Sequence, residues 1–152
     1  MHHRYFFKHV DGPCWGPLER VAELTINSPD LPVIDPGHFM YMARLESPGQ
    51  PDLNLYKHFY TRYYLNLDDA GHAYAFVGPG RRRKSAPPFS DAGLYQPLPD
   101  LLTALEHLDL GFLDENAWMT DHDRESLARL VARKQSETRT AAASVSRRRL
   151  TS

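Results

Sequence analysis

The segment that most constrains the fold runs from Tyr56 to Phe76 and holds seven of the seventeen aromatic residues of the chain. Its residues alternate in character on both sides of a central cluster, Asp68-Asp-Ala-Gly71. Alternation with a period of two is typical of a β-strand, and Asp and Gly favour tight turns. The segment therefore predicts a β-hairpin whose four-residue loop places Leu67 opposite His72.

The predicted hairpin has two different faces, because successive side chains of a strand point to opposite sides. The mostly apolar face, which we assign to the core, carries Phe59, Thr61, Tyr63, Leu65, Leu67, His72, Tyr74 and Phe76. The other face carries His58, Tyr60, Arg62, Tyr64 and Asn66, with Ala73, Ala75 and Val77 across from them. Two interpretations of this second face stay open. Either a helix or the tail covers it, or its Tyr and Arg side chains bind a protein or RNA.

The remaining patterns predict an α+β fold with a small antiparallel sheet and helices packed on one face. The order is β-α-β-β-β-α-α: a strand from Arg4 to Val10, a helix from Pro17 to Asn27, a strand from His38 to Glu46, the hairpin, a leucine-rich helix from Leu98 to Gly111, and a helix from about Thr120. The helices follow from apolar residues at i, i+3 and i+4 spacing, and the strands from alternation. We expect residues 1–134 to form a single domain, followed by a disordered basic tail at 135–152.

The length and composition fit one domain with a sizeable core, since 41% of the 152 residues are hydrophobic. The chain has no run of eighteen apolar residues, and its first residues lack the pattern of a secretory signal. We therefore expect a cytoplasmic protein without a membrane partner. Cys14 is the only cysteine, so no intramolecular disulfide is possible.

Two basic clusters stand out from an otherwise acidic chain. The net charge of the chain is −1. Residues 133–152 carry a net charge of +5, and residues 1–132 carry −10 when residues 81–84 are left out. The clusters consist of Arg81, Arg82, Arg83 and Lys84, and of Arg147, Arg148 and Arg149. Arginines of this kind neutralise phosphates without reading sequence, so they suggest a polyanion or nucleic-acid partner.

No motif for a metal, a cofactor or a catalytic centre is found in the sequence. The eight histidines show neither HExxH nor an i, i+4 pair on a helix, and Asp121-His122-Asp123 is better explained as the start of a helix. Gly78-Pro-Gly80 lacks the spacing of a phosphate-binding loop. We expect no metal and no cofactor. A small enzyme using His9, Cys14 or His72 remains an alternative without a motif to support it.

One resemblance to a known family exists in outline. Gly37-His-Phe-Met-Tyr-Met42, then Lys57-His58-Phe59, and then Tyr95 followed by Leu98-Pro-Asp-Leu-Leu102 occur in an order that resembles the Src-homology phosphotyrosine-binding domains. The chain departs from that family at its phosphate-binding arginine, because Met42 occupies the position and Arg44 lies two residues on. We therefore infer no phosphotyrosine binding and assign the chain to no family.

These patterns together favour a non-enzymatic, cytosolic protein-binding domain of the accessory or toxin-neutralising kind. Its acidic body and the face of His58, Tyr60, Arg62 and Tyr64 would meet the partner. A nucleic-acid-associated protein that binds phosphates through the two basic clusters is the first alternative, and a small enzyme is the second.

Overall fold

The structure, a computed structural model, describes residues 1–78, 91–111, 121–126, 128–130 and 132–133. Its strands are β1 (His3–Lys8), β2 (Phe39–Glu46), β3 (Leu53–His58), β4 (Tyr64–Asp68), β5 (Ala73–Gly78) and β6 (Asp91–Pro97). The helices are α1 (Gly16–Asn27), α2 (Leu101–Glu106) and a 3₁₀ turn at Pro36–His38, and residues 121–126, 128–130 and 132–133 are also helical. The protein thus belongs to the α+β class, as its sequence predicts.

The six strands form one antiparallel sheet that closes into a barrel. Each strand pairs with the next along the chain, and β6 returns to pair with β1, with His3 opposite Tyr95 and Tyr5 opposite Gly93. Closure pairs every described strand on both sides and so removes the free edges of an open sheet. The sequence predicted four strands, and the structure has six because β6 was not predicted and the long hairpin strand is divided in two.

The division of the hairpin strand is the main correction to the sequence prediction. The chain leaves β3 at His58 and enters β4 at Tyr64, and the loop between them is closed by hydrogen bonds from the Arg62 N–H to the His58 carbonyl and from the His58 N–H to the Tyr63 carbonyl. Arg62 adopts a φ of 67°, which a continuous strand does not contain. The predicted strand through residues 56–67 was therefore wrong in its middle.

The register of the second hairpin differs from the predicted one by one residue. Leu67 pairs with Ala73 rather than with His72, and Asn66 pairs with Tyr74. When one strand shifts by one residue along its neighbour, its side chains move to the opposite face of the sheet. Leu65 and Leu67 consequently point outward to the helices, whereas Tyr74 lies on the inner side of the barrel.

Two apolar clusters correspond to the outside and the inside of the barrel. The outer cluster joins the helices to β2–β5 and includes Leu18, Val21, Ala22, Ile34, Phe39, Tyr56, Leu65, Leu67, Ala73, Ala104, Leu105 and Leu108. The inner cluster is drawn from strands alone and consists of Tyr5, Leu45, Leu53, Leu55 and Tyr95. Each strand therefore has one face in contact with the interior, and several strands have the other face beneath a helix.

Helix α1 covers the outer surface near β4, as its pattern predicts. Besides Pro17, its buried side chains are Leu18, Val21, Ala22, Thr25 and Ile26, which recur at i, i+3, i+4, i+7 and i+8. A proline in the first helical turn leaves no intrahelical hydrogen bond unmade, so the start near Pro17 costs little. The predicted bounds agree with the observed ones to within one residue.

Helix α2 is shorter than the leucine pattern predicts. It begins after Asp100, whose carboxylate accepts a hydrogen bond from the Thr103 N–H at 2.8 Å. Leu105 and Leu108 are buried, but Leu102 is 37% exposed, so the five leucines do not form one buried stripe. The helix ends at Glu106 rather than at Gly111, and Asp109 in the following turn has a φ of 54°.

Several sequence predictions concern residues outside the described part of the chain. Both basic clusters fall there, at 81–84 and 147–149, as does the predicted tail at 135–152. Among the described helices, none combines the length and the apolar character needed to span a bilayer.

Candidate binding site at the barrel mouth

A cavity of about 390 Å³ lies at one end of the barrel interior. All six strands contribute to its wall, through Phe7, Met42, Ala43, Leu55, Tyr64, Asn66, Phe76 and Tyr95. We call this cavity and these eight residues the mouth pocket. Barrel mouths are recurrent sites for small ligands, because the strands converge there from opposite sides.

The rim of the mouth pocket is apolar and unusually open. Phe7, Met42 and Phe76 are 45%, 45% and 52% exposed, and Tyr64 is 41% exposed. Lys57, which pairs with Tyr64 across β3 and β4, holds its ammonium group 5.7 Å from the centre of the Tyr64 ring. The described rim thus presents large apolar surfaces to solvent, with the Lys57 ammonium group beside the Tyr64 ring.

Irregularities in strand pairing position two of the rim residues. The pairing of β2 with β3 skips Met42, and that of β5 with β6 skips Val77, next to Phe76. An extra residue of this kind, a β-bulge, redirects the neighbouring side chains and is common at barrel rims and beside active sites. The bulge in β2 lets the adjacent residues Met42 and Ala43 both line the cavity.

Aromatic contacts fix the inner wall of the pocket. The Tyr95 ring packs edge to face against Tyr5 at 5.6 Å and against Phe76 at 5.4 Å between ring centres. Burial, and secondarily the proximity of Tyr64, raises the pKa of Tyr95 to about 12. The Tyr95 phenol therefore stays neutral at physiological pH, which keeps this wall uncharged.

Asn66 is the one amide among the lining residues. It is only 5% exposed, and its Nδ2 donates to the Tyr74 carbonyl oxygen at 3.2 Å. Its Oδ1 is shielded from solvent and has no hydrogen-bond donor within reach in the described chain. Leaving a buried acceptor without a partner is unfavourable by roughly 1–3 kcal/mol. Asn66 thus lines an otherwise apolar cavity, but its unsatisfied acceptor is itself buried.

The opposite end of the interior is closed by a polar cap. Asp68 Oδ1 accepts hydrogen bonds from the N–H groups of Ala70 and His72 at 3.0 and 2.9 Å, and its Oδ2 accepts from the Tyr74 hydroxyl at 3.2 Å. The Tyr5 hydroxyl donates to the Pro51 carbonyl at 3.1 Å. Burial, followed by the nearby Asp68, raises the pKa of Tyr74 to about 12. These contacts fill the described interior beyond the pocket with hydrogen-bonded polar groups.

The four residues of the predicted binding face do not share one surface. His58 is buried, Tyr60 is half-buried with its hydroxyl bonded to the Asp123 carboxylate, and Arg62 is exposed in the loop after β3. Tyr64 alone lines the mouth pocket. Whether any of these four residues contacts a partner stays a prediction, but no single face holds them.

The rings of His58, His38 and Tyr60 pack together, and His38 and Tyr60 contact Asp123 in the helical residues 121–126. His58 Nδ1 accepts hydrogen bonds from the Tyr60 and Thr61 N–H groups, both at 3.2 Å, and its ring lies 5.9 Å from that of His38. Burial, and secondarily His38, lowers the pKa of His58 to about 4. No arrangement of His, Cys, Asp and Glu suited to a metal ion occurs among the described residues, this cluster included.

Most pocket residues were not singled out from the sequence. Phe76 was assigned to the core, and Phe7 and Tyr95 were not linked to a site. Asn66 carried a usable signal, because asparagine is disfavoured inside a strand and here lies between two leucines. The convergence of six strands on one cavity, by contrast, has no signature in any short segment.

Comparison of the chain with known protein families, with curated proteins and with solved structures gives no match. The outline similarity to the Src-homology domains therefore gains no support from these comparisons.

Proposed function

We propose that this protein binds a small, uncharged and largely apolar molecule in the mouth pocket. The observation that carries the proposal is the cavity of about 390 Å³, lined from all six strands by described residues that carry no formal charge. Ligand sites in proteins have volumes of roughly 300–1,000 Å³, with mostly apolar walls and a few polar groups. The mouth pocket has these properties.

The exposure of the rim supports the same function. Phe7, Met42 and Phe76 leave about half of their surface in solvent although the barrel interior lies directly beside them. Each would contribute roughly 1.5–3 kcal/mol if it were fully buried. Contiguous apolar exposure on a protein surface commonly marks a binding site. A ligand in the pocket would cover these side chains and recover part of that energy.

Binding of a neutral apolar dye tests the proposal directly. N-phenyl-1-naphthylamine fluoresces strongly in an apolar environment, so its emission should rise in a saturable manner on mixing with the protein. Ala43→Phe should abolish the rise, because the added ring occupies the cavity that Ala43 lines. The matched control is Ala70→Phe, which makes the same change at an exposed position in the turn after β4.

A second variant covers the case in which Ala43→Phe does not fold. Met42→Glu places a carboxylate on the exposed rim and should weaken binding, since a neutral apolar molecule cannot offset its charge. Circular dichroism of each variant reports the fold. Saturable binding that is equal in the folded Ala43→Phe and Ala70→Phe proteins, or no dye binding by the unmodified protein, would contradict the proposed function.

A further inference from the structure

Three exposed apolar side chains lie near the mouth pocket without lining it. Phe59, Tyr63 and Val77 are 52%, 52% and 41% exposed, and none of them belongs to the eight pocket residues. A small molecule in the pocket would therefore leave them in contact with water. Together with the four exposed rim residues, they make up seven of the ten large apolar side chains that are exposed in the described part of the chain.

The topology of the barrel places these three residues at the same end as the rim. In this antiparallel barrel the last residues of β3 and β5 adjoin the first residues of β2, β4 and β6. Phe59 and Tyr63 lie in the connection from β3 to β4, and Val77 is the last residue but one of β5. The Phe59 N–H donates to the His38 carbonyl at 2.7 Å, which holds this connection against the start of β2. We call the three residues and the exposed rim, Phe7, Met42, Tyr64 and Phe76, the mouth surface.

Two cations accompany the mouth surface. The Lys57 ammonium group lies 5.7 Å from the centre of the Tyr64 ring, and Arg62 is exposed between β3 and β4. Neither side chain forms an ion pair with another described residue. Residues 79–90, which join β5 to β6 at the same end, add four basic residues and no acidic one. Positive charge therefore accompanies the exposed apolar side chains.

We propose that the mouth surface docks on the surface of an anionic lipid bilayer. Proteins that bind a bilayer at its interface bury aromatic and aliphatic side chains at the headgroup boundary, and their Lys and Arg side chains attract anionic headgroups. Attachment of this kind needs no spanning segment, so it departs from the sequence-based expectation of no membrane partner. The inference goes beyond the proposed function and does not depend on a ligand in the pocket.

Two other kinds of partner fit the mouth surface less well. A peptide that adds a strand to a sheet needs a free edge, whereas every described strand of the barrel is paired on both sides. A single-stranded nucleic acid stacks its bases on aromatic rings, which gives no role to Met42 and Val77. A bilayer interface buries aromatic and aliphatic side chains alike.

Sedimentation of the full chain with lipid vesicles tests the inference. We expect binding to vesicles of phosphatidylcholine mixed with phosphatidylserine, and weaker binding to phosphatidylcholine alone. Phe59→Asp should weaken binding to the mixed vesicles by at least about tenfold, because it removes a buried ring and adds a repelled charge. The matched control is Leu24→Asp, which makes the same kind of change at a 51% exposed position on α1 and should bind like the unmodified protein.

Arg62→Asn tests the contribution of one cation. Asparagine tolerates the φ of 67° at this position, so the loop should keep its form. Removing one cation beside an anionic surface should weaken binding to the mixed vesicles about fivefold. Binding to phosphatidylcholine alone should not change.

Several results would overturn the inference. The first is no binding to the mixed vesicles, and the second is an equal effect of Phe59→Asp and Leu24→Asp in folded proteins. Binding that raised salt abolishes and Phe59→Asp leaves unchanged would assign the attraction to charge alone. Binding of a single-stranded oligouridylate without binding of vesicles would make the mouth surface a nucleic-acid site instead.

The inference and the proposed function can fail separately. Ala43→Phe, which fills the mouth pocket, should abolish dye binding and leave vesicle binding intact, since Ala43 is not part of the mouth surface. Loss of vesicle binding in a folded Ala43→Phe protein would contradict docking through the mouth surface alone. Circular dichroism reports the fold of each variant, and the comparison of the two vesicle compositions needs no variant.

Discussion

Two buried polar side chains, Asn66 and His58, show opposite states of hydrogen bonding. Asn66 leaves its acceptor unpaired beside a cavity, whereas His58 Nδ1 accepts two backbone N–H groups and shapes the loop between β3 and β4. A proton on Nδ1 would face those two donors and would break both bonds. His58 must therefore remain neutral for the loop to keep its form, which agrees with its lowered pKa.

The lowered pKa of His58 predicts a loss of stability in mild acid. The ordinary pKa of 6.5 applies to the unfolded chain and a pKa of about 4 to the folded one, so the unfolded state binds the proton more tightly between these values. The stabilisation is present above pH 6.5 and is lost as the pH falls toward 4. The free energy of unfolding should decrease by about 2 kcal/mol from pH 7 to pH 5, measured by urea denaturation.

His58→Asn provides the matched control for that measurement. Its side-chain oxygen can accept the same backbone donors but does not titrate, so the decrease between pH 7 and pH 5 should shrink by most of its size. An equal decrease in both proteins would assign the acid sensitivity to a group other than His58.

At the scale of the element, a helix or strand was predictable where its sequence pattern is compatible with only one structure. Helix α1 has one apolar stripe and one packing face, so its sequence predicted its bounds. The hairpin sequence is compatible with two registers. Aromatic or aliphatic residues occur on both faces, so a one-residue shift leaves each face partly apolar. Helix α2 was predicted too long, since the leucine spacing continues past Glu106, where the helix ends.

The cap of α2 predicts a measurable contribution from one carboxylate. Asp100 accepts hydrogen bonds from both the N–H and the hydroxyl of Thr103, at 2.8 and 2.7 Å. Asp100→Ala should lower the free energy of unfolding by about 1 kcal/mol, because it leaves the first helical N–H groups without a partner. Urea denaturation measures the change. Asp30→Ala, at an exposed position after α1, serves as the control, and an effect of the same size there would argue against the cap.

At the scale of the whole molecule, the closure of the sheet is the feature that sequence patterns could not predict. β1 and β6 lie almost ninety residues apart, and the β6 sequence, DAGLYQP, contains a glycine and a proline that weaken its strand pattern. The candidate site depends on this closure, since Phe7 comes from β1 and Tyr95 from β6. Residues were therefore recognisable singly as aromatic or polar, but their convergence was not.

Closure predicts uniform protection of the strands in amide hydrogen exchange. β1 and β6 are each paired on both sides, so their amides should exchange at rates similar to those of β3, a strand near the middle of the sequence. In an open sheet, alternate amides of the two terminal strands would face solvent and exchange as fast as loop amides. Exchange measured residue by residue by NMR distinguishes the two cases, and fast alternate exchange in β1 or β6 would contradict the closed barrel.

The polar cap of Asp68 and Tyr74 at the far end of the interior has a kinetic consequence. Because Asp68 and Tyr74 hydrogen-bond to each other there, a molecule bound as proposed would arrive and depart past the exposed rim. Under the proposed function, residence time would depend on how readily Phe7, Met42 and Phe76 move apart, so the rim would set how long a ligand stays and the buried wall would set which ligand binds.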